Sequence, residues 1–261
     1  MTEMNVVEAY IKFNKQMIIL ISGLPGSYKS EVAKNLAKDF KLSYHNLREY
    51  TKADYNTEVE LPNGSKMVDW DSVDAFDWDK VNETLENEKS KGIVMVGTTF
   101  PSNYITANID NHSHIKISKR NYITRRHENL KKNPDKGGNA KLVELIDTPT
   151  ESLMINKVIF PNYLQNVEKS NINKFINANE MSADDIYDDL FDYLLNSMVM
   201  PYINRYNKKK FEDNQSNNNN NHDNRTNNGP KDPDDSTTEE EDEDFIIATV
   251  DPSDKYLKLI Q

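Results

Sequence analysis

The sequence predicts an α/β domain built on a doubly wound parallel sheet of about five strands. Three observations lead there. The apolar runs "QMIILISG" (16–23) and "GIVMVGTTF" (92–100) are continuous rather than alternating, as strands buried on both faces are. Amphipathic helical stretches separate such runs, which is the rhythm of a parallel sheet. The first run ends in a glycine-bounded turn that opens directly into a helix.

Taken in order, residues 1–15 lack the basic start, apolar stretch and cleavage site of a signal peptide, and read as an extension ahead of a domain spanning 16–206. Residues 16–23 are the first strand. Residues 30–40 set Val32, Leu36 and Phe40 on one helical face, with Ala33 and Ala37 small enough for close approach to a sheet. Residues 41–47 form a second strand. Residues 48–76 are polar and irregular, turning at "LPNGS". Residues 77–91 predict an amphipathic helix with Trp78, Val81 and Leu85 inward, and both Trp70 and Trp78 are expected in the core. Strands follow at 92–100 and 114–118. "KRNYITRRHENLKK" (119–132) is a basic helix that "NPDKGG" ends. Helical pieces over 140–165 and a last strand at 173–178 lead to a helix capped by Ser182. There Asp184 and Asp185 suit the positive end, and Ile186, Leu190 and Leu194 form the buried stripe.

Charge is unevenly placed. The 261-residue chain is 36% hydrophobic with a net charge of −11, and residues 212–261 alone hold 14 acids against four bases. The body is therefore nearly neutral, whereas a nucleic-acid-binding domain is basic, so no nucleic-acid partner is expected. Residues 207–244, rich in asparagine and then in acids, have no apolar periodicity and are expected to be disordered. This acidic tail is a candidate arm for a protein partner. The apolar islands "FIIATV" and "KYLKLI" within 245–261 would dock on a partner or back on the body, or stay unstructured. With no cysteine, disulfides, thiolate catalysis and cysteine zinc sites are excluded. No apolar run reaches the ~18 residues of a membrane span, so a soluble cytoplasmic protein with no membrane partner is expected.

"SGLPGSYKS" (22–30) carries the chemistry. A strand, a glycine-bounded turn and a helix gather backbone N–H groups around one concavity suited to polyphosphate. Gly23, Gly26, Ser27 and Tyr28 would line it, Lys29 would reach the β- and γ-phosphates, and the Ser30 hydroxyl would join a Mg²⁺ shell. Tyr28 stands where such a loop normally has its second glycine. The carboxylates Asp54, Asp69 and Asp74 lie in polar loops and read as solvated or substrate-orienting. The histidines at 45, 112, 114 and 127 show no metal-ligand spacing.

Three further stretches carry a resemblance: "LREYTKADY" (47–55), "DWDSVDAFDWDKV" (69–81) and "VIFPNY" (158–163), the last following "ITRRHENLKK". Their order and spacing over 16–197 resemble the uridine kinase and nicotinamide riboside kinase group of P-loop nucleoside kinases. The resemblance implies a P-loop kinase fold with a small helical lid over about 119–139, ATP and Mg²⁺ as cofactors, and phosphorylation of a nucleoside-like substrate at a hydroxyl. It places Lys29 and Ser30 on the loop's lysine and Mg²⁺-ligating hydroxyl. Glu49 falls on the general base or Mg²⁺ partner, with Tyr50 beside it. Arg125 and Arg126 fall on the lid arginines. Asp74 and Tyr163 fall on the substrate side, with Phe160 and Pro161 in the same post-lid motif. The chain departs from the pattern at Tyr28, at Arg48 where an acid is expected, and at Val96 where the group has a glutamate before Gly97. These departures keep open a second reading, a catalytically weakened nucleotide-binding protein, beside a third, another small-molecule kinase of the same fold.

Overall fold

The computed structural model describes residues 4–134 and 139–220. Its centre is a sheet of β1 (Ile18–Gly23), β2 (Ser43–Asn46), β5 (Ile93–Gly97), β6 (Asn111–Lys116) and β7 (Lys174–Asn177), all parallel. The order is β2-β5-β1-β6-β7, with β1 in the middle. Every residue of β1 and β5 is buried, as continuous apolar runs require. A Val or Ile side chain removed fully from water contributes about 1.5–3 kcal/mol.

Side chains alternate between two helical layers. Ile19 and Ile21 share one core with α2 (Lys29–Phe40) and α8 (Ala183–Leu194) through Val32, Leu36, Phe40, Ile186, Leu190 and Leu194. Ile18, Leu20 and Met95 face the other way, onto Val81 and Leu85 of α3 (Trp78–Glu88). Ser182 caps α8 in a capping box with Asp185. The basic stretch forms α4 (Lys119–Lys132), capped by Ser118.

The helical pieces expected over 140–165 are α5 (Asn139–Glu144), α6 (Pro149–Met154) and α7 (Phe160–Glu168). A π-turn at Ile155–Ile159 joins α6 to α7, and a second at Leu195–Val199 joins α8 to α9 (Met200–Asn220). Each π-turn is followed one residue later by a proline, Pro161 or Pro201. A proline cannot donate to the carbonyl four residues back and collides with it, and a widened turn relieves both faults.

The structure corrects several expectations. Residues 1–15 are no separate extension: α1 (Val6–Asn14) buries Val6, Val7, Ala9 and Tyr10. It is capped reciprocally by Asn5 and Glu8 and packs on α9, with Phe13 stacked on Tyr206 at 4.0 Å. Its apolar face was unreadable without α9 beside it. Residues 48–76 include a hairpin, β3 (Glu58–Glu60) with antiparallel β4 (Lys66–Val68), whose three-residue strands are too short to show a pattern. Strand β6 begins at Asn111, earlier than expected, because its first residues are polar yet buried. Trp70 is no core residue, being 53% exposed, with Tyr55 beside it at 5.7 Å. Residues 207–220, expected to begin the disordered tail, continue α9, whose Ile203 is buried. The remainder of that tail and the peptide 245–261 lie outside the described residues. No helix of the described residues is long and apolar enough to cross a membrane.

Candidate active site

The loop between β1 and α2 is shaped by close contacts. A Cβ on Gly23 would stand 2.6 Å from the Ile115 carbonyl oxygen and 2.7 Å from Ser27 Oγ, so only glycine fits. Gly26 has φ +86°, and a Cβ there would lie 2.9 Å from Arg125 Cβ. Helix α4 therefore rests directly on the loop. Tyr28 is left-handed at φ 62°, a conformation that costs a non-glycine residue on the order of 1–2 kcal/mol. Its ring is turned outward, and the Arg125 guanidinium lies over it at 4.6 Å from the ring centre. Arg125 Nη1 also donates to the Gly26 carbonyl at 2.9 Å, and Nη2 reaches Ala178 O at 3.4 Å.

The interior of the loop is a set of donors short of acceptors. No side chain caps the start of α2. Ser27 Oγ is buried without a partner. Lys29 Nζ has one long bond, 3.3 Å to Leu24 O; burial, with Arg48 nearby, pushes its pKa down to about 7, against the pull of Asp71. Arg126 is held from behind, its Nε 3.3 Å from Glu151 Oε1, while Nη2 is buried and unpaired. Glu151, only 3% exposed, also accepts from His127 Nε2 at 2.8 Å and from the Asp147 N–H at 3.0 Å. Leaving buried donors unpaired is costly.

One carboxylate joins this set. Asp71 is close enough to Arg48, Arg126 and Lys29 for all three to lower its pKa, yet burial, with Asp69 beside it, holds it above its ordinary value. Asp69 is fixed by Asn162 Nδ2 at 2.9 Å and by the Asp71 N–H at 3.3 Å. Nothing local in the sequence separates Asp71 from the neighbouring Asp69 and Asp74, since it lies in an irregular turn.

The expected site residues divide. Gly23, Gly26, Ser27, Lys29 and Ser30 are gathered on the loop, with Ser30 half-buried at the start of α2. The two arginines part company: Arg126 shares the charge of Asp71, and Arg125 fastens the loop to α4. Glu49 is exposed, with no hydrogen-bond or ion-pair partner among the described residues. The Tyr50 hydroxyl points instead to His45 Nδ1 at 2.9 Å and Thr84 Oγ1 at 3.2 Å, away from the loop and toward α3. Asp74 is exposed on a short 3₁₀ turn, where its N–H donates to Ser72 Oγ at 3.2 Å and its carbonyl accepts from Lys52. Tyr163 is buried and bonded to His114 at 2.8 Å.

A strand order with β1 central and a phosphate-type loop at its carboxyl end together make a P-loop kinase fold. No family model matches the sequence, and no curated protein does. Solved structures do match in shape. Shikimate kinase from Acinetobacter baumannii in complex with shikimate is 12% identical, with a TM-score of 0.41 over 72% of this chain and 98% of that one. A sugar kinase from Janibacter sp. HTCC2649 is 11% identical, with a TM-score of 0.43 over 72% and 98%. Thymidylate kinase from Candida albicans is 12% identical, with a TM-score of 0.40 over 70% and 92%.

Two features had no readable signal. Glu151 sits three residues after Thr148, which caps α6, so its spacing reads as an ordinary helix start. His112 and His114, read as having no role, lie at 2% and 0% exposure on either side of Ser22. The sequence shows only four consecutive polar residues, Asn111, His112, Ser113 and His114, opening a strand.

Proposed function

We propose that this chain is an ATP-dependent kinase acting on a hydroxyl of a small molecule, with a nucleoside or ribose-containing compound as the acceptor class. The observation that carries the reading is the electrostatic coupling of Lys29, Arg126 and Arg48 to the buried Asp71, with the Ser27 hydroxyl of the same loop as Lys29 buried and unpaired. Phosphoryl transfer needs clamping, charge neutralisation and an oriented nucleophile more than covalent chemistry, and these residues supply each part. When bound, Mg-ATP supplies the phosphoryl group and a metal charge on it. Lys29 and the loop N–H groups hold the phosphates, and Arg126, braced by Glu151, neutralises charge as it develops. The Ser30 hydroxyl is the chain's ligand toward Mg²⁺. Asp71 orients the acceptor hydroxyl or takes its proton, a role that the sequence analysis gave to Glu49.

ATP consumption against uridine, cytidine, nicotinamide riboside and deoxynucleosides tests this, with Lys29→Ala as the control. Absence of turnover with every acceptor, or equal turnover by the variant, refutes it. Asp71→Asn is expected to lower kcat by about 10²-fold or more, and a larger loss in Glu49→Gln would return the role to Glu49. One observation favours the second reading, a nucleotide-binding protein weakened in catalysis: the position before Gly97 is the buried, apolar Val96, so no acid stands there. Calorimetry showing Mg-ATP binding without turnover of any acceptor would support it.

A further inference from the structure

Ser22, His112, His114 and Tyr163 form one buried hydrogen-bonded chain from the start of the phosphate loop to α7. Ser22 Oγ lies 2.7 Å from His112 Nε2 and 2.7 Å from His114 Nδ1. His114 Nε2 lies 2.8 Å from the Tyr163 hydroxyl, and His112 Nδ1 lies 3.2 Å from Asn171 O. Burial pushes both imidazoles far down, to about 4 for His112 and about 3 for His114, so each is neutral near pH 7 and carries a single N–H. The proton positions then follow from one end. A carbonyl only accepts, so His112 holds its proton on Nδ1. Its Nε2 must accept, so the Ser22 hydroxyl donates to it. Ser22 Oγ accepts from the His114 Nδ1–H. His114 Nε2 is left as an acceptor, and the Tyr163 hydroxyl donates to it. No other arrangement of these protons satisfies every bond.

The phenol of Tyr163 therefore has its proton committed inward, and toward any other group its oxygen can only accept. An ionised phosphate, which also only accepts, finds no bond there; a hydroxyl or an N–H does. Helix α7 borders the site described above. Asn162, next to Tyr163, bonds Asp69 at 2.9 Å. Phe160 packs on Tyr122 at 5.5 Å, and Tyr122 in turn feels Arg126 and Asp71. Lys29 bears electrostatically on His114.

We propose that Ser22, His112 and His114 are positioning residues that make Tyr163 an acceptor-only contact for a hydroxyl or N–H of the molecule to be phosphorylated, discriminating it from the phosphates held alongside. This rests on the kinase reading.

Two measurements on the full chain test it. Nitrogen-15 NMR of the imidazoles should show both His112 and His114 as neutral Nδ1–H forms from pH 5.5 to 8; an Nε2–H form of either, or titration in that range, overturns the proton assignment. In the acceptor panel, Tyr163→Phe and Ser22→Ala should each raise the acceptor KM about five- to tenfold, the worth of one neutral hydrogen bond, with the KM for ATP little changed. An acceptor analogue lacking the donor group should be penalised in the wild type and no further in Tyr163→Phe. Equal changes in both KM values, or equal penalties for every analogue in both proteins, refute the positioning role. A wild type that turns over no acceptor refutes the kinase reading itself and the acceptor contact with it, whatever the NMR shows.

Discussion

Glu151→Gln isolates the electrostatics of the brace behind Arg126. The Glu151 carboxylate is 3% exposed, lies 2.8 Å from His127 Nε2 and 3.3 Å from Arg126 Nε, and accepts the Asp147 N–H at 3.0 Å. An amide of the same shape retains one acceptor oxygen and loses the charge, and its NH₂ then confronts donors. Arg126, whose side chain is 14% exposed and whose Nη2 has no partner, is left without its counter-charge. Breaking a buried ion pair from one side costs about 3–5 kcal/mol; one remaining hydrogen bond of about 1 kcal/mol offsets part of this, so about 2–4 kcal/mol of stability should be lost. Urea unfolding reads this as a lower midpoint at unchanged slope, with the slope marking whether the denatured state also changed. The same variant should weaken nucleotide binding, because Arg126 loses its brace. A loss below about 0.5 kcal/mol, the usual range of surface substitutions, would refute the claim that Glu151 fixes Arg126.

Other outcomes follow from the same geometry. Tyr28→Gly relieves left-handed strain of about 1–2 kcal/mol but forfeits the Arg125 contact, about 0.5–1 kcal/mol, and frees the unfolded chain by about 0.4–1 kcal/mol. Thermal unfolding should therefore move little, while the affinity of nucleotide changes; a large loss of stability would contradict the offset. For Lys29 the folded pKa, about 7, lies below its ordinary 10.5, so the unfolded chain binds more protons between these values. Stability from this group is full above the unfolded pKa and is lost as pH falls toward 7. Polyphosphate binding should restore the ammonium, so calorimetry at pH 8.5 in buffers of differing ionisation enthalpy should show uptake of about one proton. Uptake that persists in Lys29→Met would assign the proton elsewhere. Removal of residues 1–15 strips Val7 and Tyr10 from the core and should leave 16–261 largely unfolded by circular dichroism; a cooperative transition near that of the full chain would return those residues to the status of an extension.

What the sequence disclosed and what it hid follow a physical division. Strands β1 and β5 were legible because burial on both faces demands continuous apolar residues, a signal contained in six or so neighbours. The cap at Ser182 and the glycine-bounded turn between β1 and α2 were legible for the same reason, since each is formed by residues close together in the chain. Asp71, Glu151 and the pair His112–His114 were not. Their meaning lies in partners far along the chain, such as Ser22 across 90 residues from His112, and no local pattern separates a buried, fully bonded histidine from a solvated one. Glu49 was favoured over Asp71 because motif position is local and charge convergence is not. The hairpin of β3 and β4 escaped for lack of length, and α9 because asparagine is a poor helix former.

The clasp of α1 against α9 has a consequence for synthesis. Helix α1 is completed by α9, far later in the chain: Tyr10 packs against Tyr202 at 5.0 Å and Phe13 against Tyr206. At about 5–20 residues per second, α1 waits tens of seconds with its apolar face open, unless it first settles on Asp110, which accepts the Tyr10 hydroxyl at 2.9 Å and the Ile18 N–H at 2.8 Å. Without that early settling, the nascent chain carries an exposed, sticky helix until α9 has emerged and can close over it. A circular permutant that joins the two ends and opens the chain elsewhere would make that closure local.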